Sequence, residues 1–356
     1  MTKPRSKSTD SSRAAAGIDS VKRGEIFSVL RERLGFPEVR APLAIQIDTV
    51  ADVASAALEL LENLAPSASA SASSPLIEPP VTDGGADGAG QPAIACASWM
   101  FSPERKPFTG KVALVTGSGH GIGRAIACQL ADLGARVVVN SFHSRDRGEA
   151  TAAAIRTAGG KAEHVWGSVA NPGQLKKIFE GIEQQFGYLD FFVSNASNGM
   201  IAPLKDITEQ HWERAFRTNV IGLHQGAMLA AHLMRRRGGG KIVTISSPGA
   251  QRYIEHFGCM GPVKAALESL TRYLAVELAQ DNIQVNAISA GPIYGELLSK
   301  YPDAERLIPY WESLSAGHRL GEQSDVANFA TYLLSEGGNK ITGSVLLVDS
   351  GGSQRI

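Results

Sequence analysis

The stretch KVALVTGSGHGIG, residues 111–123, decides the fold. It opens as a short β-branched apolar run, the pattern of a strand buried on both faces. It then breaks into glycines at 117, 119, 121 and 123, and continues as RAIACQLADLG, whose apolar residues recur at helical spacing. Glycine lets backbone approach a ligand closely, and the start of the following helix offers free N–H groups and partial positive charge. A glycine turn between a first strand and a first helix is therefore the place to cradle a diphosphate.

Reading outward, six more short runs follow: RVVVN, AEHVW, DFFVSNA, KIVTISS, IQVNAIS and SVLLVD. Between them lie helical stretches such as QLKKIFEGIEQQFG and TEQHWERAFRTNVIGLHQGAMLAAHLM. Alternation of this kind predicts a Rossmann-type α/β fold, a parallel sheet covered by helices on both faces, over residues 110–356.

Totals narrow the possibilities. The 356 residues are 43% hydrophobic, with 35 basic and 35 acidic side chains and no formal net charge. That balance gives no footprint for nucleic acid or an anionic membrane. Cys96, Cys128 and Cys259 lie far apart, which argues against a disulfide framework or a zinc site and fits the reducing cytoplasm. No apolar run is long enough to span a bilayer, and the basic, Ser-rich N-terminus lacks the apolar centre of a secretory signal.

Several landmarks carry a family resemblance. Thr116-Gly117-x-x-x-Gly121-Ile122-Gly123 resembles the TGxxxGIG signature of the short-chain dehydrogenase/reductase superfamily. Ser194-Asn195-Ala196 resembles its NAG-type motif, Asn219 its fourth-helix asparagine and Val348-Asp349 with Gly351-Gly352 its C-terminal VDGG, while Ser247 follows the fifth strand. The resemblance implies seven strands in the order 3-2-1-4-5-6-7, a nicotinamide dinucleotide and a homo-oligomer, dimer or tetramer. It further implies cofactor contacts from Gly117, Ser118, His120, Gly121, Ile122, Gly123, Ser141, His143, Ser168, Val169, Asn195, Ala196, Asn219, Lys264 and Ile293.

Enzymes that use NAD place an acid at the end of strand 2 for the ribose hydroxyls. Here that stretch is Asn140-Ser141-Phe142-His143-Ser144-Arg145, which favours NADPH and leaves NADH open. Ser168 stands where the family usually has an aspartate near the adenine. Gly295 replaces a threonine that contacts the carboxamide.

The reacting centre departs from the common Tyr-x3-Lys pattern. Lys264 follows Ser247 by seventeen residues, and the tyrosine position before it is Met260. The segment from Ile245 to Ser289, with KAALESLTRYLAVEL and an RYIE turn, resembles enoyl-acyl-carrier-protein reductase III. That branch uses Tyr-x6-Lys and a second tyrosine in the turn. The first position holds Phe257; the second matches Tyr253. The catalytic candidates are thus Tyr253, Lys264 and Ser247, with Cys259 a packing residue and no metal. The segment GELLSKYPDAERLIPYWESLSAGHRL, 295–320, is expected to form a mobile lid that decides acyl chain length.

Upstream, residues 1–16 are polar and read as disordered. Residues 17–64 begin with Gly17-Ile18-Asp19-Ser20-Val21-Lys22-Arg23 and resemble the later part of a phosphopantetheine carrier domain of polyketide or polyunsaturated fatty-acid synthases. There Ser20 would carry phosphopantetheine, although Asp19-Ser20 also suits a plain helix N-cap. Residues 65–109, with ASASASS and EPPVTDGGADGAGQP, read as a flexible linker.

Taken together, the expected activity is NADPH-dependent reduction of a 2-enoyl thioester held on an acyl carrier protein, in fatty-acid or polyketide biosynthesis. Two alternatives stay open. One is a 3-ketoacyl or other carbonyl reductase on the same fold. The other is a non-catalytic carrier and dinucleotide-binding scaffold.

Overall fold

The computed structural model describes residues 106–355. The readings made for residues 1–16, for the carrier-like 17–64 with Ser20, and for most of the linker lie outside the described residues. Residues 106–109, placed with the linker, already belong to the packed domain: Phe108 is buried and meets Phe191 edge to face, with ring centroids 5.0 Å apart.

Seven strands form one parallel sheet in the order β3-β2-β1-β4-β5-β6-β7, as expected. They are β1 (Val112–Val115), β2 (Arg136–Ser141), β3 (Lys161–Trp166), β4 (Phe191–Ser194), β5 (Gly240–Ser246), β6 (Ile283–Ala290) and β7 (Val345–Val348). Among the described residues eight helices accompany them: α1 (Gly121–Asp132), α2 (Arg145–Thr157), α3 (Pro172–Phe186), α4 (Glu209–Phe216), α5 (Gly222–Met234), α6 (Met260–Glu277), α7 (Ala304–Leu314) and α8 (Gln323–Leu334).

Local sequence explains their ends. Asn171 caps α3 by accepting from the Gln174 N–H at 3.0 Å, Pro172 occupies the first turn, and Gly187 closes the helix in the left-handed region. A capping box of Thr208 and His211 starts α4.

The central strands are buried on both faces, so each carries a continuous apolar run. One core holds Ile126 and Leu130 of α1, Ile155 of α2 and Val326 and Leu333 of α8. On the other face Leu175 and Ile178 of α3, Leu223 and Ala227 of α5, and Leu267 and Leu274 of α6 pack against Leu114, Phe192 and Ile242.

Two local features bear on function. Between α4 and α5 the chain widens into a π-turn over Arg217–Ile221. Asn219 explains it: its side-chain amide donates to the Ala215 carbonyl at 2.9 Å, the acceptor its own backbone N–H would use in a regular helix. The 295–320 segment has its own structure. Within it, α7 and a short turn pack Leu298, Leu307, Trp311 and Leu320 into a separate small core.

Candidate active site

In an open parallel sheet a ligand binds where the strand order reverses, at the carboxyl ends. Here β1 has β2 on one side and β4 on the other, so that point lies at the β1–α1 turn beside the end of β4.

The turn is built almost wholly from backbone. Gly117 has φ +65°, and a Cβ on it would stand 2.8 Å from the Ala196 Cα. A Cβ at Gly123 would meet Asn195 Nδ2 at 2.4 Å. Gly121, at φ +60°, has open space where its Cβ would be. His120 begins α1 in extended conformation with no side-chain cap, and no acid occupies the first turn. A bare helix start beside open space fits the diphosphate of a dinucleotide.

Asn195 ties this turn to β4. Its Nδ2 donates to the carbonyls of Thr116 (3.0 Å) and Gly117 (3.1 Å), while the N–H groups of Asn195 and Ala196 both donate to Thr116 Oγ1 at 3.1 Å. The Ser118 hydroxyl is fully buried and used within the protein, donating to the Val115 carbonyl at 2.7 Å and accepting from the Asn140 N–H at 3.1 Å. At the ends of β2 and β3, Ser141 is buried, His143 is exposed, and Val169 is half-buried. Ser168 is engaged locally: its N–H donates to Gln174 Oε1 at 2.8 Å, and its Oγ accepts from the Ala170 N–H at 3.2 Å. Ile293 pairs with Gly321 in an isolated bridge after β6. Arg147, at the start of α2, holds both oxygens of Glu296 from the same loop, at 2.9 and 2.8 Å.

At the other end of the cleft Lys264 is buried in the first turns of α6. Its Nζ donates to the Ile245 carbonyl at 2.7 Å and to Asn219 Oδ1 at 3.0 Å. Burial pushes its ammonium down to about 8. Asn219 Oδ1 also accepts from the Ser197 hydroxyl at 2.9 Å. Ser197 is not among the residues the sequence singles out; a hydroxyl directly after Asn195-Ala196 at the end of β4 is the signal for it.

The remaining candidates divide. Ser247 accepts from the Gly249 N–H at 3.3 Å and shapes the turn after β5. Phe257 is buried with its ring against Gly249, Met260 packs its sulfur toward Gly199, and Cys259 is buried as expected of a packing residue. Tyr253 is 80% exposed, so the structure does not bring its phenol onto Lys264. Glu255, His256 and Asp303 come together near Tyr253, but Arg306 bonds Glu255 at 2.7 Å, so a guanidinium already answers their negative charge.

Residues 117–353 match the sequence family described as enoyl-(acyl carrier protein) reductase. The chain is 35% identical over 256 residues to 1-cyclohexenylcarbonyl-CoA reductase of Streptomyces collinus, spanning 71% of this chain and 91% of that protein. The chain belongs to the short-chain dehydrogenase/reductase superfamily. A versicolorin reductase of Emericella nidulans is 33% identical over 265 residues, covering 71% of this chain and 99% of the relative. Among solved structures, 7α-hydroxysteroid dehydrogenase complexed with NADH and 7-oxo glycochenodeoxycholic acid superposes with a TM-score of 0.67. It shares 30% identity and covers 71% of this chain and 98% of its own. This short-chain dehydrogenase/reductase is accordingly an oxidoreductase of the nicotinamide-dependent class.

Proposed function

We propose that the enzyme uses NADPH to reduce the carbon–carbon double bond of a 2-enoyl thioester presented on an acyl carrier protein, in fatty-acid or polyketide biosynthesis. One observation carries this reading: Lys264 is held in place by Asn219 and Ile245 while both family tyrosine positions hold side chains without a hydroxyl, Met260 and Phe257. The relative from Streptomyces collinus, whose name denotes an unsaturated acyl-CoA, supports it.

Gly117 to Gly123 would hold the diphosphate, Ser141 and His143 the adenosine side, and Lys264 with Asn195, Ala196 and Ile293 the nicotinamide side. When bound, the dihydronicotinamide supplies a hydride. Lys264 spends two of its three donors on Asn219 and Ile245, leaving one for the ribose. Ketone reduction leaves an alkoxide that must receive a proton, so loss of both phenols costs it most. Reduction of an enoyl thioester leaves a delocalised enolate that needs only hydrogen-bond donors, since water can protonate its α-carbon. Ser197, on the same amide oxygen as Lys264, and Tyr253, at the rim, are the donors this chain offers.

Partners follow from the surface. Met228 on α5 and Tyr273 and Val276 on α6 are exposed, which suits a homo-oligomer. Among the described residues no helix is long and apolar enough to cross a membrane, in keeping with a cytoplasmic enzyme.

The test is NADPH oxidation with crotonyl- against acetoacetyl-thioester. Crotonyl-thioester is expected to react faster by about tenfold or more, roughly 1.4 kcal/mol in barrier. Faster reduction of acetoacetyl-thioester would establish the carbonyl reading. Cofactor binding with neither turned over would establish a scaffold. Tyr253→Phe is expected to slow crotonyl reduction; full activity removes that phenol from the mechanism.

A further inference from the structure

Lys264 has a second enclosed charge beside it on α6. Glu268, one helical turn further on, is 4% exposed against 6% for Lys264. Both side chains reach back to the carboxyl end of β5. Lys264 Nζ donates to the Ile245 carbonyl, and the hydroxyl of the next residue, Ser246, donates to Glu268 Oε1 at 2.6 Å. That length is typical of a hydroxyl bonded to an ionised oxygen, so Glu268 is a carboxylate. Its other oxygen, Oε2, accepts from Gln251 Nε2 at 3.2 Å, in the loop that carries Tyr253 two residues later.

Position explains what the carboxylate does. An ammonium taken out of water needs a counter-charge. The atoms bonded to Lys264 Nζ are neutral: the Ile245 carbonyl of β5, and Asn219 Oδ1 of the π-turn, which also serves Ser197. On α6 itself the buried neighbours Val263 and Leu267 are apolar. Among the described residues Glu268 is the one charge that acts on Lys264. Burial lowers the ammonium, and the carboxylate opposes that fall. A glutamine at 268 would still accept from Ser246. What it would not supply is the charge.

The charge matters because of the third hydrogen. A neutral amine has two N–H groups, and Ile245 and Asn219 already take both. Only the ammonium keeps one for the ribose. We propose that Glu268 is a positioning residue for cofactor binding: its buried carboxylate is the counter-ion that keeps the third hydrogen on Lys264, while its bonds to Ser246 and Gln251 lock α6 against the end of β5. This rests on the reading of Lys264 as the donor to the nicotinamide ribose.

Fluorescence titration of the full chain with NADPH and with NADH, from pH 6 to pH 9, tests this with whichever dinucleotide binds more tightly. Wild-type affinity is expected to fall above about pH 8. In Glu268→Gln the fall is expected to start about one pH unit lower, within the reach of one neighbouring charge. Its affinity would then lie within about twofold of wild type at pH 6 and be about tenfold weaker at pH 9. Glu268→Asp keeps the charge and is expected to stay close to the wild-type profile. Gln251→Ala, an exposed change that removes only the loop contact, guards against a folding defect and is expected to leave the fall where it is. A fall in Glu268→Gln at the wild-type pH overturns the inference. Equal weakening at every pH marks a merely structural carboxylate and overturns it too. So does a fall moved as far down by Gln251→Ala or Glu268→Asp, which traces the effect to packing and not to charge. A wild type that binds dinucleotide with no fall up to pH 9 overturns the reading of Lys264 as well.

Discussion

At the β1–α1 turn the close contacts are made by glycine backbone, Gly117 against the backbone of Ala196 and Gly123 against the Gly117 carbonyl and the Asn195 amide. Across the cleft, at the β5–α6 loop, side chains do the holding: Lys264 on Asn219, Ser197 on the same oxygen, Phe257 over Gly249. The difference decides what each region tolerates. Backbone contacts need a shape, and only glycine supplies it. Side-chain contacts can be exchanged, and this chain has exchanged them at 257 and 260 while keeping the lysine. The largest expected effect tests that retained residue. Lys264→Met should cut turnover about a thousandfold, roughly 4 kcal/mol in barrier, in steady-state assays. The same change should not harm folding. Burial lowers the Lys264 ammonium from 10.5 to about 8, so between those pH values the unfolded chain binds more protons and stability rises with pH. Below about 8 both states carry the charge, and its burial counts against the fold. Lys241, likewise lowered to about 8 by burial, contributes a second rise over the same window. Lys264→Met should thus flatten the rise in part and be at least as stable as wild type at pH 7, as urea denaturation would show. A large loss of stability there would make Lys264 a structural residue.

The opposite balance is expected at the turn. Gly117→Ala adds a Cβ 2.8 Å from the Ala196 Cα to a residue at φ +65°. Strain in the left-handed region and overpacking together should cost about 3 kcal/mol, read as a shift of the denaturation midpoint. Less than about 1 kcal/mol would mean that the two backbones can separate, and the contrast between the regions would weaken.

The same contrast explains what was legible in the sequence. The seven strand runs and the glycine turn could be read because they depend on local pattern and on residue types few others can replace, whereas the order of the strands followed only from the family resemblance. Lys264 was legible through its spacing from Ser247. The partners of these residues were not. Ser197 meets Lys264 only through Asn219, and Asn219 reaches that place by widening its helix into a π-turn, which no periodicity announces. A hydrogen-bonded line from Ser141 through His164 to Glu149 joins two strands and a helix, and it depends on the absence of a side chain at Gly148. Tyr253 shows the limit of local pattern: the RYIE turn is legible in the sequence, but the 80% exposure that places its phenol at the rim is not.

A smaller effect sharpens the account of the exchanged positions. Phe257→Tyr restores the phenol six residues before Lys264, on a ring already packed against Gly249 at the edge of the buried region. Crotonyl-thioester reduction is expected to rise about tenfold, within the range of one well-placed proton donor or oxyanion contact. No gain would show that Ser197 and water already serve the developing charge.

The smallest expected effect lies where the two regions meet. Arg147 and Glu296 join the start of α2 to the loop after β6 through two hydrogen bonds, but both side chains are about half exposed, at 48% and 57%. Exposed pairs add little to stability, and salt screens them. Arg147→Ala and Glu296→Ala should leave the denaturation midpoint where it is. Each should speed NADPH release about twofold at low ionic strength, with the difference gone at 1 M salt, where the screening length is about 3 Å. The double variant should release no faster than either single one, because a broken pair cannot be broken twice. Stopped-flow displacement measures all three. If Arg147→Ala alone releases NADPH much faster than Glu296→Ala, the guanidinium touches the cofactor directly, and the adenosine side too is held by a side chain rather than by backbone shape.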